Sequence, residues 1–278
     1  MSEQTVQDAY QIRKSIIQML VEAKSGHAGG ALGMADAFAV LYREVLRHSP
    51  EHPEWSDRDR VVLSNGHTCP VLYATLALHQ YFSPDLLLSL RKLNAQLQGH
   101  PHEDTKLGIE TTSGPLGQGL SQAVGMALAA RALKRNHHIY CFTSDGEHQE
   151  GQTWEAYLAG AKYGVNNLTV LVDRNYIQIS GVTEQIAPLD PFTPKLQSFG
   201  WTVYEVNGHD HEKLQETMLQ ARDDGQPSVI VLYTEPGHGV DFMEAKYSWH
   251  GQPPDEQQAR SALKQLNSLA GRLGTQYD

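Results

Sequence analysis

Two rhythms of apolar residues run along the chain, and each predicts a kind of element. Over residues 6–23 the apolar positions return every three to four residues, with Ile12, Ile16 and Leu20 on one stripe, which predicts an amphipathic helix. The same period runs over residues 34–46 through Phe38, Leu41 and Val45, and Gly29 and Gly30 are expected to loosen the backbone ahead of it. Further helices are expected at 70–80, 85–93, 120–133, 211–222 and, more weakly, 255–273, with another ending at Gly200 and a polar, weakly ordered tail closing the chain. Short β-prone runs stand between them at 60–64, 139–143, 168–172, 201–206 and 228–233. Strands alternating with helices predict an α/β fold: a mostly parallel central sheet with helices on both faces, laid out as a single domain over residues 1–278.

The run 139–177 is the most informative. Its two strands flank a helical pattern that carries Trp154, Ala156, Tyr157, Leu158 and Ala161 and stops at Gly164, so the strands are expected to lie parallel. Ligands of such sheets bind beyond the carboxyl ends of the strands. Asp145-Gly146 follows the first strand, and Asn175 follows the second about 30 residues later. An Asp-Gly pair alone is a turn signal. With Asn175 on a neighbouring strand, it delivers a carboxylate and a carboxamide oxygen to one crevice. Hard oxygen donors with open positions suit Mg²⁺, which completes its shell with water and phosphate oxygens. The Ile177 carbonyl is a third candidate ligand, and Gly146 leaves room for a phosphate beside the backbone.

Several of the 14 histidines stand beside glycine in predicted loops. They occur in Ser25-Gly26-His27, in Leu63-Ser64-Asn65-Gly66-His67 at a strand end, in Gly99-His100-Pro101, and in Tyr247-Ser248-Trp249-His250-Gly251. Pro101 keeps His100 out of helical geometry, and a histidine beside glycine at a strand's carboxyl end can meet an anion. Gly114-Pro115-Leu116-Gly117-Gln118-Gly119 is a glycine loop that opens a helix rich in small residues. Taken with the spacing from Asp145-Gly146 to Asn175, these motifs resemble those of thiamine diphosphate enzymes, and among them the N-terminal, diphosphate-binding half of transketolase. The resemblance spans about residues 10–255.

That resemblance implies thiamine diphosphate and Mg²⁺, or Ca²⁺ or Mn²⁺ in its place, as cofactors. It assigns Asp145, Asn175 and the Ile177 carbonyl to the metal, and His67, Gly146, Asn175 and His250 to the diphosphate. The backbone of Gly114, Pro115 and Leu116 would border the aminopyrimidine ring. His27, His100 and His250 would orient a two-carbon donor from a sugar or sugar phosphate and exchange protons near neutral pH. Glu150 and Glu155 would join a hydrogen-bond path between paired sites at a subunit interface; taken as residues alone, they are also a solvated helix start. The chain departs from the family pattern at Ser144, where glycine is usual, at Pro236, where lysine is usual, and at His102.

A full transketolase is more than twice as long, so the resemblance also implies a split enzyme. The activating glutamate and the arginines that grip a sugar phosphate belong to a pyrimidine-binding domain, expected on a separate C-terminal subunit. Activity is then expected only in the company of that subunit, in an α2β2 heterotetramer. Two rival readings stay open: the α component of a thiamine-dependent 2-oxoacid dehydrogenase, or a related decarboxylase or acyloin synthase, and a non-catalytic nucleotide-binding or scaffold domain. The glycine–histidine loops, suited to polyhydroxylated sugars, count against the first, and the metal-spaced Asp145 and Asn175 against the second. A histidine-ligated metal hydrolase lacks its His-x-x-x-His or comparable cluster.

Composition narrows the setting. A formal net charge of −10 argues against nucleic acid as a partner. Cys69 and Cys141, both in apolar surroundings, point to buried thiols in a reducing compartment. The polar N-terminus lacks a signal-peptide core, and no apolar run approaches a membrane span, so a cytoplasmic protein is expected.

Overall fold

The computed structural model describes residues 3–274, with side chains through residue 269. The end of the expected C-terminal tail, from residue 275, lies outside the described residues. In chain order, α1 (Glu3–Ala23), α2 (Gly29–Gly33) and α3 (Ala35–Val40) lead to strand β1 (Arg60–Leu63) and α4 (Cys69–Leu78). Then come α5 (Gly119–Ala132), β2 (Ile139–Ser144), α6 (Gly151–Tyr163) and β3 (Leu168–Arg174). A small hairpin, β4 (Ile177–Gln178) and β5 (Gly181–Val182), precedes α7 (Thr183–Ile186) and α8 (Phe192–Ser198). The chain closes with β6 (Thr202–Asn207), α9 (His211–Asp223), β7 (Ser228–Tyr233) and α10 (Glu256–Gly274).

Five strands pair in the order β1-β2-β3-β7-β6, every pairing parallel. Side chains alternate along each strand, so every strand feeds two cores. Tyr140 and Phe142 of β2, Leu171 of β3, and Ile230 and Leu232 of β7 face a core completed by α1, α3, α4, α9 and α10. Ile139 and Cys141, Val170 and Val172, and Val229 and Val231 face the other, completed by α5, α6 and α8. Helices on both faces explain why these strands read as nearly continuous apolar runs rather than as alternation. Phe142 stacks on Phe38 of α3 with ring centroids 4.1 Å apart; a buried Phe is worth about 3–5 kcal/mol against Ala. Both cysteines are free and buried, as expected. Among the described residues, no helix is long and apolar enough to cross a membrane.

The βαβ unit forms as its sequence predicts. Gly164, with φ 57°, ends α6, its N–H reaching back to the Ala161 carbonyl, and β2 and β3 are parallel neighbours with Ser144 opposite Asp173. Strand order then reverses. β6 takes the sheet edge, and β7 returns between it and β3, connected by α9 on the opposite face from α5 and α6. In open parallel sheets, a reversal of this kind opens a crevice at the carboxyl ends of the strands.

Three local expectations need correction. Gly29 and Gly30 do not loosen the chain; they are buried in α2, so the helical region starts earlier than residue 34. They serve close approach, as at neighbouring Gly33, where a Cβ would lie 2.9 Å from the Glu235 carbonyl oxygen. The helix expected over 34–46 widens into a π turn at Leu41–Val45. The segment at 85–93 forms only a 3₁₀ turn, Pro84–Ser89, where Ser83 accepts a bond from the Asp85 N–H.

Candidate functional site

Asp145 and Asn175 leave adjacent strands at the same edge of the sheet. The Asp145 N–H donates to the Asp173 carbonyl (3.0 Å), which continues the β2–β3 ladder one residue past the strand. Oδ1 of Asp145 accepts from the Gly146 N–H (2.7 Å), and Oδ2 accepts from the Tyr176 N–H (2.8 Å) and from Arg174 Nη1 (3.3 Å). Asn175 is fixed in the same manner. Its Nδ2 donates to Asp173 Oδ2 (2.7 Å), and its Oδ1 accepts from the Ile177 N–H (3.0 Å). Tyr176, between Asn175 and Ile177, takes φ 62°, a left-handed conformation that costs about 1–3 kcal/mol in a non-glycine residue. The Arg174 guanidinium lies 4.1 Å from the Tyr176 ring centre and also binds Glu184 (2.7 Å) and Asp190 (3.0 Å), so one arginine joins both turns to the segment behind them.

The electrostatics of this corner call for a cation. Burial pushes the Asp145 carboxyl up to about 6, against the pull of Arg174 and of the Tyr176 and Gly146 N–H groups. Burial likewise raises Asp173, fully enclosed and bonded to Thr234, to about 7, with the charge of Asp145 adding to the rise. Two carboxyls made costly to ionise by burial, and for Asp173 also by the Asp145 charge, are stabilised when a positive ion joins them. The donors are carboxylate and amide oxygens, which suit a hard divalent ion.

A second group faces the same crevice. His27, His67 and His250 come from three separate loops, with ring centroids 5.1, 5.7 and 5.2 Å apart. Burial brings His27 down to about 4, helped by the neighbouring His250, Arg91 and His100 charges, and burial alone brings His250 to about 4. His67 is held well below the usual imidazole range by burial, then by His250, His27 and His100. At neutral pH the three rings are uncharged. Nδ1 of His27 and of His250 is buried without a hydrogen-bond partner among the described residues, as are Oγ of Ser113 and Oε1 of Gln178. Native interiors seldom leave such atoms unsatisfied, and here they leave hydrogen-bonding capacity for a ligand.

The glycine loop closes the rim. Gly114 takes φ 153°, and a Cβ there would lie 3.7 Å from His100, which is exposed in this chain. The loop is pinned by a residue that sequence reasoning missed. Glu147, fully buried, accepts from the Gly117 N–H (2.6 Å), from the Ser64 hydroxyl and from the Ser144 N–H (3.3 Å), which ties the end of β1, the loop and the Asp145 turn together. On the far side, His148 binds the Ser144 carbonyl (2.8 Å) and the Tyr157 hydroxyl (2.9 Å).

The structure thus brings together Asp145, Gly146, Asn175 and Ile177 in one corner and His27, His67 and His250 in another, with Gly114, Pro115, Leu116 and His100 on a rim. Glu150 and Glu155 are exposed at the start of α6. Ser144 does not take a positive φ, so serine fits where glycine is usual. Pro236 packs against α2, with its Cβ 3.6 Å from the place a Gly29 Cβ would occupy. His102 is exposed, and its ring bonds the Glu103 carbonyl (3.1 Å). Sequence reasoning also missed Asp173 and Arg174; two charged residues ending an apolar strand were the available signal.

Comparison with known proteins places these features in context. The family model described as transketolase, thiamine diphosphate binding domain, matches residues 4–269. The chain is 38% identical over 270 residues to the 6-deoxy-6-sulfo-D-fructose transketolase subunit SqwG of Clostridium sp. (strain MSTE9), covering 96% of this chain and 98% of that protein. It is 35% identical over 262 residues to an apulose-4-phosphate transketolase subunit of Phocaeicola vulgatus, covering 94% and 93%. The crystal structure of transketolase from Campylobacter jejuni superposes with a TM-score of 0.90 at 33% identity, over 96% of this chain but 43% of that one.

Proposed function

The chain belongs to the transketolase thiamine diphosphate-binding domain family, and on that premise we propose that it is the diphosphate-binding subunit of a two-component transketolase. It moves a two-carbon ketol unit from a ketose, or a ketose phosphate, to an aldose. The observation that carries this reading is the pairing of Asp145 and Asn175 at the ends of neighbouring parallel strands, beside three uncharged imidazoles, two of which, His27 and His250, have a buried nitrogen without a partner among the described residues.

Thiamine diphosphate, when bound, supplies the electron sink for breaking the ketose carbon–carbon bond. The residues present fit it. Asp145, Asn175 and the Ile177 carbonyl would hold a divalent cation, Mg²⁺ or Ca²⁺ or Mn²⁺ in its place. Gly146, Asn175, His67 and His250 would hold the diphosphate, and the backbone of Gly114, Pro115 and Leu116 would border the aminopyrimidine. His27, His100 and His250 orient the donor. A neutral imidazole carries one N–H and one lone pair, so each ring can donate to one sugar hydroxyl and accept a proton from another.

The chain spans less than half of the transketolase it superposes on, whereas the relatives that match its length are named as subunits. That contrast supports a separate C-terminal polypeptide carrying the pyrimidine-binding domain, in a cytoplasmic α2β2 assembly with Glu150 and Glu155 at the contact between paired sites. Sugars and sugar phosphates are its small-molecule partners. Co-expression with a C-terminal transketolase subunit, followed by a ketol-transfer assay on ketose phosphates, tests the proposal. Activity is expected from the pair and from neither chain alone. Full activity of the isolated chain would refute the split, and turnover of 2-oxoacids in place of ketoses would move the enzyme to the dehydrogenase and decarboxylase class.

A further inference from the structure

A guanidinium stands between two of the site loops. Arg91 takes φ 61° just after the 3₁₀ turn Pro84–Ser89, and its N–H closes a tight loop on the Leu97 carbonyl (3.0 Å). Its Nη1 donates to the Ser25 hydroxyl (3.0 Å) and its Nη2 to the Gly99 carbonyl (3.2 Å). Ser25 lies two residues before His27, and Gly99 is the residue before His100. A Cβ on Gly99 would come within 2.8 Å of the guanidinium carbon, so glycine is what lets the arginine lie against that loop.

The neighbouring Lys92 takes a carboxylate, that of Glu22 (2.6 Å). Both of Arg91's partners are neutral, and its Nε is buried without a partner among the described residues. The positive charge is therefore left uncancelled at the place where the two loops meet.

We propose that Arg91 is a positioning residue that holds the His27 and His100 loops together as one donor-binding unit. The proposal rests on the transketolase reading above. Burial is the main influence lowering His27, followed by the charges of His250, Arg91 and His100, and the His67 ring packs beside it. For His100, on the rim, Arg91 is the influence that follows burial. A like charge disfavours the imidazolium, and only a neutral ring can take a proton from a sugar hydroxyl. One residue would thus fix where the two rings sit, and its charge adds to the burial that lowers both.

Arg91→Gln removes the charge and keeps donors, whereas Arg91→Lys keeps the charge and loses the two-pronged grip. In the full-length chain, histidine C2–H titration by NMR, assigned with His27→Gln and His100→Gln, should show both rings titrating higher in Arg91→Gln and unmoved in Arg91→Lys. In the reconstituted pair, both variants should raise the donor KM about tenfold. Only Arg91→Gln should move the acid limb of kcat/KM to higher pH, and cofactor affinity should hold in both. If Arg91→Gln does not fold, Ser25→Ala, which frees one loop with the charge in place, should raise KM without moving either titration. Unmoved imidazoles in Arg91→Gln, or cofactor affinity falling in step with KM, would overturn the proposal. A wild-type pair that transfers no ketol unit would instead sink the transketolase reading, and the titrations would still decide what Arg91 does.

Discussion

The cation corner and the histidine crevice adjoin, but they are built on opposite plans. Asp145, Asp173 and Asn175 stand at the ends of central strands, and their side-chain oxygens and the Asn175 nitrogen already have protein partners. The imidazoles of His27 and His250 stand on loops, and each has a buried nitrogen with no partner among the described residues. The corner that would carry the densest charge is pre-organised by the sheet, and Arg174 with the Tyr176 and Gly146 N–H groups offsets only part of its ionisation cost. The crevice keeps its bonding capacity open for whatever enters. A satisfied network holds its shape without a ligand, whereas an unsatisfied one gains most when the ligand arrives.

The harshest way to break this comparison is Asp145→Ala. It removes a charged oxygen ligand and leaves the Tyr176 and Gly146 N–H groups without acceptors. Calorimetry with thiamine diphosphate and Mg²⁺ should show affinity falling by more than about 100-fold. A loss of only a few-fold would mean that the corner is not where the cofactor's charge is held. His250→Ala should act more mildly. Its Nδ1 has no partner among the described residues, so the melting temperature should stay within about 2 °C, while cofactor affinity drops about tenfold. Equal melting losses in the two variants would show that the crevice is structural after all.

The same contrast separates what the sequence discloses from what it hides. The βαβ unit was legible because strand, helix and Gly164 punctuation are local, and Asp145 and Asn175 were legible because parallel pairing places consecutive strand ends side by side. The histidine loops stood out through the glycines beside them. What stayed hidden depends on distance in the chain. Glu147 bonds Ser64 and Gly117, residues 83 and 30 positions away. Arg91 bonds Ser25, 66 positions away, from a segment expected only as a short helix. Gly29 and Gly30 were misjudged because glycine loosens a chain or admits a close neighbour, and only the neighbour decides which: the 236–250 segment beside Gly29, and Thr68 and Asp173 beside Gly30.

The finest distinction between the two regions is the sign of their pH dependence. Burial raises Asp145 to about 6 and Asp173 and Glu147 to about 7, above their ordinary values of 3.8 and 4.5. A group raised on folding gives stability that is full below its unfolded value and lost as pH climbs through its folded one. The cation corner therefore loses stability from about pH 4 to 7. Burial lowers His27 and His250 to about 4, from 6.5, so the crevice loses stability in the other direction, as pH falls from 6.5 to about 4. Only the first loss is repaired by a cation, which needs the carboxyls ionised and displaces their protons. Mg²⁺ with thiamine diphosphate should therefore raise the melting temperature by a few degrees more at about pH 8 than at about pH 5.5. Calorimetry in two buffers of different ionisation enthalpy should register proton release near pH 6.5, less of it in Asp173→Asn. A melting gain that does not vary with pH would mean the carboxyls are already ionised before the cation arrives, and the corner would then be no more strained than the crevice beside it.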